Sequence, residues 1–274
     1  MIELSKSVAI VTGAARGIGK AIALAYARLG IRVAAVDVLA NPLQATAAET
    51  AEDGLVILPI IADITDLAQV EAMASQVEAE LGPVDILVNC AGTFSVIAPV
   101  WEADPEKWFR DVQVNLYGSF LVCRAVVGRM VVRRRGYVIN IVSSGGVGDP
   151  HPYSTSYASS KAGLMRLTEG LAKEVDEYGI KVFAVAPPAI LTEMTRFIMN
   201  DPGGKTWRPS FPKIFEEGRD APPEAVAECC VRLVQGEADE LTGRYLLVTQ
   251  DLDELVARAD AIIAHDLWTL RIRK

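Results

Sequence analysis

The sequence is poor in histidine and cysteine, the residues from which most transition-metal and redox sites are built. Only two histidines occur, His151 and His265, so we predict that the chain binds no metal. The four cysteines are Cys90, Cys123, Cys229 and Cys230. None of them forms a Cys-x-x-Cys pair, and adjacent cysteines do not bridge easily without strain. Scattered thiols of this kind are typical of a reducing compartment, and we predict a cytoplasmic protein.

Long apolar runs and excess positive charge are also missing. No uninterrupted apolar run approaches the ~20 residues that span a bilayer, and the first apolar segment leads directly into a glycine-rich turn, unlike a signal peptide. The 35 acidic residues outnumber the 27 basic ones, which gives a net charge of −8. The one basic run, residues 133–135, ends a predicted helix, where cations suit the helix dipole. The composition therefore favours a small-molecule partner over nucleic acid or membrane.

Apolar, strand-like runs alternate with helical stretches along most of the 274 residues. The runs are rich in valine and isoleucine with little polar alternation, as expected when both faces of a parallel sheet are covered. The predicted strands are 8–11, 33–36, 56–60, 86–88, 137–142, 181–186 and 245–248. The predicted long helices are 17–29, 66–81, 107–133 and 156–178. We therefore predict an α/β fold: a single-domain, Rossmann-like, doubly wound parallel sheet of about seven strands with helices on both faces.

A glycine-rich turn stands between the first strand and the first helix. Its sequence is Thr12-Gly13-Ala14-Ala15-Arg16-Gly17-Ile18-Gly19. Glycines allow the backbone to turn tightly and to approach a pyrophosphate, and the helix N-terminus offers free N–H groups to it. The spacing, Gly-x-x-x-Gly-x-Gly, is one residue longer than the standard dinucleotide fingerprint. This context predicts a dinucleotide-binding site.

The second strand ends in Asp37, twenty residues after Gly17. A carboxylate at this position accepts hydrogen bonds from the adenosine ribose hydroxyls and repels the extra phosphate of NADP. Arg16 has the opposite tendency, because a guanidinium pairs well with a 2′-phosphate. Since a carboxylate beside a dianionic phosphate is costly, we predict that the cofactor is NAD rather than NADP.

Tyr157 and Lys161 stand four residues apart in a predicted helix. Residues at this spacing lie on one face of a helix. The ammonium group favours the phenolate, so we expect the pKa of Tyr157 to fall from its reference value of about 10 towards neutrality. Such a phenol is a general acid or base near physiological pH.

Taken together, these motifs resemble the classical short-chain dehydrogenase/reductase family over residues 6–248. Asn89-Cys90-Ala91-Gly92 is similar to the family's Asn-Asn-Ala-Gly signature, with Cys90 replacing the second asparagine. Asp63 resembles the acid that contacts the adenine. The segment 187–192 resembles a Pro-Gly-x-x-x-Thr segment, with Pro188 in place of glycine.

The resemblance implies a set of site residues. In the family pattern the catalytic serine precedes the tyrosine by thirteen residues, which selects Ser144 over Ser143. The implied catalytic residues are Asn115, Ser144, Tyr157 and Lys161. The implied cofactor-binding residues are Gly13, Arg16, Gly17, Ile18, Gly19, Asp37, Asp63, Ile64, Asn89, Ala91, Gly92, Tyr157, Lys161, Pro187, Ile190 and Thr192.

The function implied by the resemblance is an NAD(H)-dependent oxidoreductase that interconverts a secondary alcohol and a ketone. Tyr157 would exchange the alcohol proton, Lys161 would hold the cofactor ribose, Ser144 would bind the substrate oxygen, and Asn115 would support a water-linked proton relay. An NADPH-dependent 3-oxoacyl reductase is an alternative. A non-catalytic nucleotide sensor or scaffold on the same fold is another. The family also implies a homodimer or homotetramer.

Three segments of the chain are predicted to have different tasks. Residues 1–250 form the dinucleotide-binding and catalytic domain, in which the aromatic segment 193–223 covers the substrate. The loop 145–155 is expected either to bring His151 and Tyr153 to the same pocket or to hold His151 as a structural loop histidine with its own hydrogen bonds. Residues 251–274 form an extension, helix-like to about residue 264, that packs on the same or a neighbouring subunit. The uncharged, aromatic segments indicate a mostly apolar substrate.

Overall fold

The structure is a computed structural model that describes residues 3–50, 54–148 and 151–272, and a seven-stranded parallel sheet forms its centre. The strands are β1 Val8–Thr12, β2 Arg32–Asp37, β3 Ile57–Ile61, β4 Ile86–Asn89, β5 Gly136–Ile141, β6 Ile180–Ala186 and β7 Tyr245–Leu247. Their order across the sheet is β3-β2-β1-β4-β5-β6-β7. The predicted fold class is confirmed, and each predicted strand boundary lies within one residue of the observed one.

Helices cover both faces of this sheet. They are α1 Gly17–Arg28, α2 Ala40–Ala48, α3 Leu67–Glu80, α4 Pro105–Val112, α5 Ser119–Arg133, α6 Thr155–Glu174, α7 Glu193–Asn200, α8 Pro202–Trp207, α9 Lys213–Glu216, α10 Pro223–Val234, α11 Leu252–Ala257 and α12 Ala259–Ala264. A π-helical turn, Gln113–Gly118, joins α4 to α5 without a break. The four predicted long helices correspond to α1, α3, α4–α5 and α6, whereas α2 and α10 were not predicted.

The core consists of two main apolar layers, one on each face of the sheet. Successive residues of β1 alternate between them: Ala9 and Val11 belong to one cluster, and Val8 and Ile10 belong to the other. Helices α1, α10, α11 and α12 cover the first layer, and α3, α5 and α6 cover the second. Because both faces are covered, all five residues of β1 are buried, which explains the absence of polar alternation in the sequence.

The joined helix Pro105–Arg133 is 29 residues long and, by length and composition alone, apolar enough to cross a membrane. The helix is not an uninterrupted apolar run, because Asp111, Arg124 and Arg129 interrupt it. Of its most apolar window, 56% is buried inside the fold. That burial is typical of a core helix that packs on a sheet.

The C-terminal segment packs on its own chain. The predicted helix to residue 264 is divided at Arg258 into α11 and α12, and Leu252 and Ile262 are buried in the first core layer. Beyond the helices, the Trp268 carbonyl accepts a hydrogen bond of 2.9 Å from the N–H of Tyr245. The two aromatic rings stack with centroids 6.4 Å apart. The extension therefore covers the β7 edge of the sheet.

The sheet order reverses between β1 and β4, and this position determines where a ligand can bind. In open parallel sheets, a crevice forms at the carboxyl ends of the strands where the order changes direction. Here the Thr12 hydroxyl at the end of β1 accepts hydrogen bonds from the N–H groups of Cys90 (3.1 Å) and Ala91 (3.2 Å), just after β4. The loops that follow the two strands are thereby held together.

Candidate active site

A cavity of about 580 Å³ lies at this carboxyl edge, and most of the predicted site residues line it. Its volume falls within the range of about 300–1,000 Å³ that is usual for ligand pockets. The predicted residues in its lining are Gly13, Arg16, Gly17, Ile18, Gly19, Asp37, Asp63, Ile64, Ala91, Gly92, Ser144, Tyr157, Lys161, Pro187, Ile190 and Thr192. Two predicted residues, Asn89 and Asn115, are not part of this lining.

The glycine-rich turn has no room for side chains at two positions. Gly13 adopts a φ of +69°, and a Cβ there would lie 2.7 Å from the Ala91 Cα. At Gly19, a Cβ would lie 2.2 Å from the Gly13 carbonyl oxygen. Glycine alone fits these positions without a shift of the backbone. The turn consequently presents bare backbone and the first N–H groups of α1 to the cavity, a geometry suited to phosphate.

Asp37 is oriented by the backbone around it. One carboxylate oxygen accepts the N–H of Ala15 at 3.1 Å, and the other accepts the N–H of Leu39 at 3.1 Å. The carboxylate lines the cavity with lone pairs left for a further donor. Arg16, the residue predicted to compete with it, is exposed and lines the same cavity.

Asp63 is held in its ionised form. Partial burial opposes ionisation, but hydrogen bonds from Thr65 (2.7 and 2.9 Å) and from Arg110 (3.3 Å) outweigh it and lower the pKa of Asp63. Cys90, which stands where the family signature has asparagine, is uncharged, in contrast to Asp63. Burial raises the pKa of its thiol to about 12, so this cavity residue is a neutral thiol at neutral pH.

Asn89 and Asn115 lie behind the cavity wall. The Asn89 amide donates to the Asn140 side chain at 2.8 Å and to the Cys123 sulfur at 3.2 Å. Asn115, in the π-helical turn, donates to the Thr93 carbonyl and to the Ser160 hydroxyl, both at 2.9 Å. Its amide oxygen accepts the Thr93 N–H at 2.7 Å. In this structure both asparagines join elements of the wall rather than line the cavity.

The Tyr157 ring stacks on Phe94, with centroids 4.8 Å apart and planes at 13°. Burial raises the pKa of this phenol, whereas the Ser143 hydroxyl and the Arg208 guanidinium act in the opposite direction and only partly offset burial. The expectation that Lys161 lowers this pKa is therefore wrong for this structure. The lysine Nζ lies 5.9 Å from the centroid of the ring, and desolvation dominates.

Lys161 is itself buried, and its ammonium donates to the Ile141 carbonyl at 2.7 Å. Desolvation lowers the pKa of Lys161 from 10.5 to about 8. Lys161 thus donates a hydrogen bond to the end of β5 and loses its proton at a lower pH than an exposed lysine does. It still lines the cavity beside the phenol, where a ligand hydroxyl could reach it.

The two candidate serines differ in their surroundings, although both line the cavity. Ser143 acts to lower the pKa of the phenol, whereas Ser144 is exposed and begins a short 3₁₀ turn, Ser144–Gly146. Ser143 is extended, with φ −156° and ψ 144°, and continues the direction of β5 into the cavity. It precedes Tyr157 by fourteen residues rather than thirteen. These surroundings favour Ser143, whereas the residue count favours Ser144.

The segment predicted to cover the substrate folds into the short helices α7, α8 and α9. Ile198 is buried against Phe94, and Trp207 and Phe211 pack on the same cluster with Tyr157. Trp207 also stacks on Tyr153, with centroids 4.6 Å apart. His151 and Phe211 line the cavity, whereas Tyr153, like Trp207, supports its wall.

Three residues near the phenol were not predicted. Phe94 stacks on it, and Arg208 lines the cavity above it. Asp111, fully buried in α4, accepts the Ser156 hydroxyl at 2.6 Å and the Ser95 N–H at 2.9 Å. Of these three residues, only Asp111 could have been recognised from the sequence, because an acidic residue on a buried helix face is unusual.

Comparisons with known proteins agree with this geometry. The family model described as short chain dehydrogenase matches residues 7–203. The D-threitol dehydrogenase of Mycolicibacterium smegmatis is 36% identical over 248 residues, covering 90% of this chain and 92% of that protein. The 3-oxoacyl-[acyl-carrier-protein] reductase of Thermotoga maritima is 34% identical over 247 residues, covering 89% and 97%.

Solved structures are similar as well. A variant of actinorhodin polyketide ketoreductase with NADPH superposes with a TM-score of 0.82 at 31% identity. The match covers 90% of this chain and 97% of that one. The likeness therefore includes the whole sheet and not only the glycine-rich turn.

We predict that the buried Lys161 raises the free energy of unfolding as the pH increases. Below about pH 8 it is protonated in both the folded and the unfolded state, and folding has to desolvate the charge. Between about pH 8 and 10.5 only the unfolded state keeps the proton, so the cost of burying this lysine falls and the free energy of unfolding rises as the pH rises. The unfolding free energy of the wild type should therefore gain about 2 kcal/mol over Lys161→Met between about pH 7.5 and 9.5.

Urea unfolding at the two pH values measures this gain, and the Lys161→Met variant serves as the reference that cancels other titrating groups. A difference between the proteins that stays constant with pH would contradict the lowered pKa.

Proposed function

Because the chain belongs to the short-chain dehydrogenase/reductase family, whose members act on alcohols and ketones, we propose that it transfers hydride between NAD(H) and a secondary alcohol or ketone. Tyr157 is the general acid/base of this proposal. The observation that carries it is the shared cavity: the glycine-rich turn and Asp37 line it together with Tyr157, Ser143 and Lys161.

The residues present fit a dinucleotide. The bare backbone at Gly13 and Gly19, where a Cβ would meet neighbouring backbone, suits close approach of a pyrophosphate. Asp37 and Asp63 suit the ribose and the adenine, and Lys161 suits the second ribose. When bound, the cofactor would supply the hydride chemistry.

The chemistry assigned to this chain is positioning and proton transfer. With a raised pKa, Tyr157 is protonated at neutral pH and ready to donate its proton to a ketone oxygen. In the reverse direction it first releases its own proton by way of Lys161 and then accepts the proton of the alcohol. Ser143, rather than Ser144, donates a hydrogen bond to the same substrate oxygen and stabilises its developing charge. Lys161, with a pKa of about 8, passes protons between the phenol and the surroundings.

Asn115 is proposed to support the relay from behind. Its side chain binds the Ser160 hydroxyl, and that hydroxyl donates to the Tyr157 carbonyl at 2.8 Å. The asparagine thereby fixes the turn of α6 that carries both Tyr157 and Lys161. Its position in a π-helical turn is consistent with such a role, because π-bulges occur often at functional sites.

Two further expectations remain part of the proposal. A homodimer or homotetramer is supported by apolar side chains exposed along α4–α5, which include Phe109, Tyr117 and Phe120. A cytoplasmic location is supported by the four free thiols.

An NADPH-dependent 3-oxoacyl reductase is the second candidate, favoured by the similarity to the Thermotoga maritima enzyme. Cofactor preference separates it from the first.

We predict that Tyr157→Phe abolishes turnover without loss of cofactor binding. The variant keeps the ring that stacks on Phe94 but has no proton to exchange, so initial rates on a panel of secondary alcohols and ketones should fall by about 10²–10⁴-fold or more. NADH affinity, measured by fluorescence titration, should change by less than about twofold. Turnover that survives in this variant would refute the assignment.

The two adjacent serines offer a matched test. Ser143→Ala should lower kcat by about 10²–10³-fold, because it removes a hydrogen-bond donor to the oxygen that becomes charged. Ser144→Ala removes the hydroxyl of the adjacent, exposed serine and should change kcat by less than a few-fold. Steady-state kinetics on the best substrate of the panel measures both. The opposite order of effects would restore Ser144 as the catalytic serine.

Asp37 should determine the preference for NAD. Asp37→Asn keeps the shape but removes the negative charge, so the ratio of NADPH affinity to NADH affinity should rise by about tenfold or more. Arg16→Gln is the matched control on the same turn and should lower that ratio. Fluorescence titration with the two reduced cofactors needs no substrate. Tighter binding of NADPH than NADH by the wild type would instead favour the 3-oxoacyl reductase.

A further inference from the structure

A guanidinium without a described counter-ion faces the phenol. Arg208 follows α8, and its backbone N–H donates to the Gly204 carbonyl at 2.9 Å. Its Cζ lies 4.9 Å from the centroid of the Phe211 ring, and the side chain lines the active-site cavity. Within residues 3–50, 54–148 and 151–272, no carboxylate forms an ion pair with it, and no side-chain hydrogen bond to it is present.

The surroundings make this charge costly. The guanidinium lies over the Phe211 ring, and the nearby phenol of Tyr157 is uncharged. Desolvation lowers the pKa of Arg208, but a guanidinium stays protonated in proteins. A charge withdrawn from water in this way is normally paired. Arg244 illustrates the usual solution: it is also largely buried, and it pairs with Asp266 at 2.7 Å.

The outer side of Arg208 is positively charged as well. A second cavity, of about 380 Å³, shares Arg208 with the active site and is also lined by Lys213 and Arg219. Arg219 pairs with Glu217 at 2.7 Å, whereas Lys213 forms no ion pair among the described residues. The described lining contains no acidic residue, although the chain as a whole has a net charge of −8. Cations grouped in this way raise the local concentration of anionic ligands.

We propose that Arg208 binds an anionic group of the substrate, a carboxylate or a phosphate, while the carbinol or carbonyl carbon lies at Tyr157. This proposal rests on the proposed function and narrows its substrate to hydroxy or oxo compounds with an apolar body and a negatively charged end. Planar, forked donors suit both oxyanions. The anionic group takes no part in bond changes: in the reductive direction the carbonyl carbon would gain the hydride that a bound reduced cofactor supplies, and Tyr157 would donate its proton to the carbonyl oxygen, which becomes the hydroxyl.

This inference adds a negatively charged end to the mostly apolar substrate that the sequence indicated. The aromatic segments supply the apolar wall, as predicted, but the same segment also brings one cation to the end of that wall. A different role for Arg208, in which it only adjusts the acidity of Tyr157, would act equally on charged and neutral substrates. The two roles are therefore separable by experiment.

The test is a binding experiment that does not need turnover. Tyr157→Phe protein, saturated with NADH, is titrated with matched pairs of probes: 4-oxo-4-phenylbutanoate and its methyl ester, and a keto-alcohol phosphate and its unphosphorylated alcohol. Calorimetry reports affinity. We expect the better anion to bind at least about tenfold more tightly than its neutral partner, and Arg208→Gln to remove that preference.

Three controls make the result specific. Lys205→Gln removes one positive charge from the exposed surface of the same segment, α8, and should leave the preference unchanged. Arg208→Lys keeps the charge without the fork and should restore the preference in part. Circular dichroism and thermal melting verify that each variant is folded.

The carboxylate and phosphate arms identify which oxyanion the site takes. A panel in which no anion binds better than its neutral partner, including one in which nothing binds, overturns the proposal. So does an Arg208→Gln variant that loses anion and neutral probe equally. Turnover with NAD is measured separately on Tyr157-containing protein. Anion binding without any turnover would therefore leave this site standing while the proposed function fails.

Discussion

The whole site depends on the close approach of two loops at the carboxyl edge of the sheet. The Thr12 hydroxyl, fully buried, accepts two backbone N–H groups from the segment after β4 and holds it against the glycine-rich turn. The approach is so close that a Cβ on Gly13 would meet the Ala91 backbone. One threonine and one glycine thus set the width of the crevice in which a dinucleotide is proposed to lie. The strand order creates the crevice, and this contact determines its dimensions.

Burial, rather than pairwise charge, governs the acid–base properties inside that crevice. It raises the pKa of Tyr157, lowers that of Lys161 to about 8 and lowers that of Arg208. All three shifts favour the neutral form, as desolvation requires. A simple pairing of ammonium and phenolate therefore misses the main effect. In such a site a bound cationic ring or a bound anion shifts these pKa values more than it would in water, because the surroundings screen charges weakly.

The sequence predicted the sheet well and the site in part, for identifiable reasons. Strands buried on both faces are apolar at most positions, so their boundaries were correct within one residue. Helix α2 was missed because it contains Pro42 and buries only Leu43 and Thr46. The choice between Ser143 and Ser144 could not be made from a residue count, because the count does not show how long the loop between β5 and α6 is. Arg208 was missed because three short helices, of which α7 and α8 begin with a side-chain cap, decide which side of the segment faces the cavity.

The position of the phenol is determined from several sides at once. Asp111 binds Ser156, the residue before Tyr157, and also the Ser95 N–H beside Phe94, so one buried carboxylate connects the start of α6 to the loop whose ring covers the phenol. Asn115 fixes the next turn of α6 through Ser160. A carboxylate that accepts several hydrogen bonds is costly to displace. The tyrosine is consequently held by polar contacts on its helix and by apolar contacts on its ring, which leaves its hydroxyl as the part free to react.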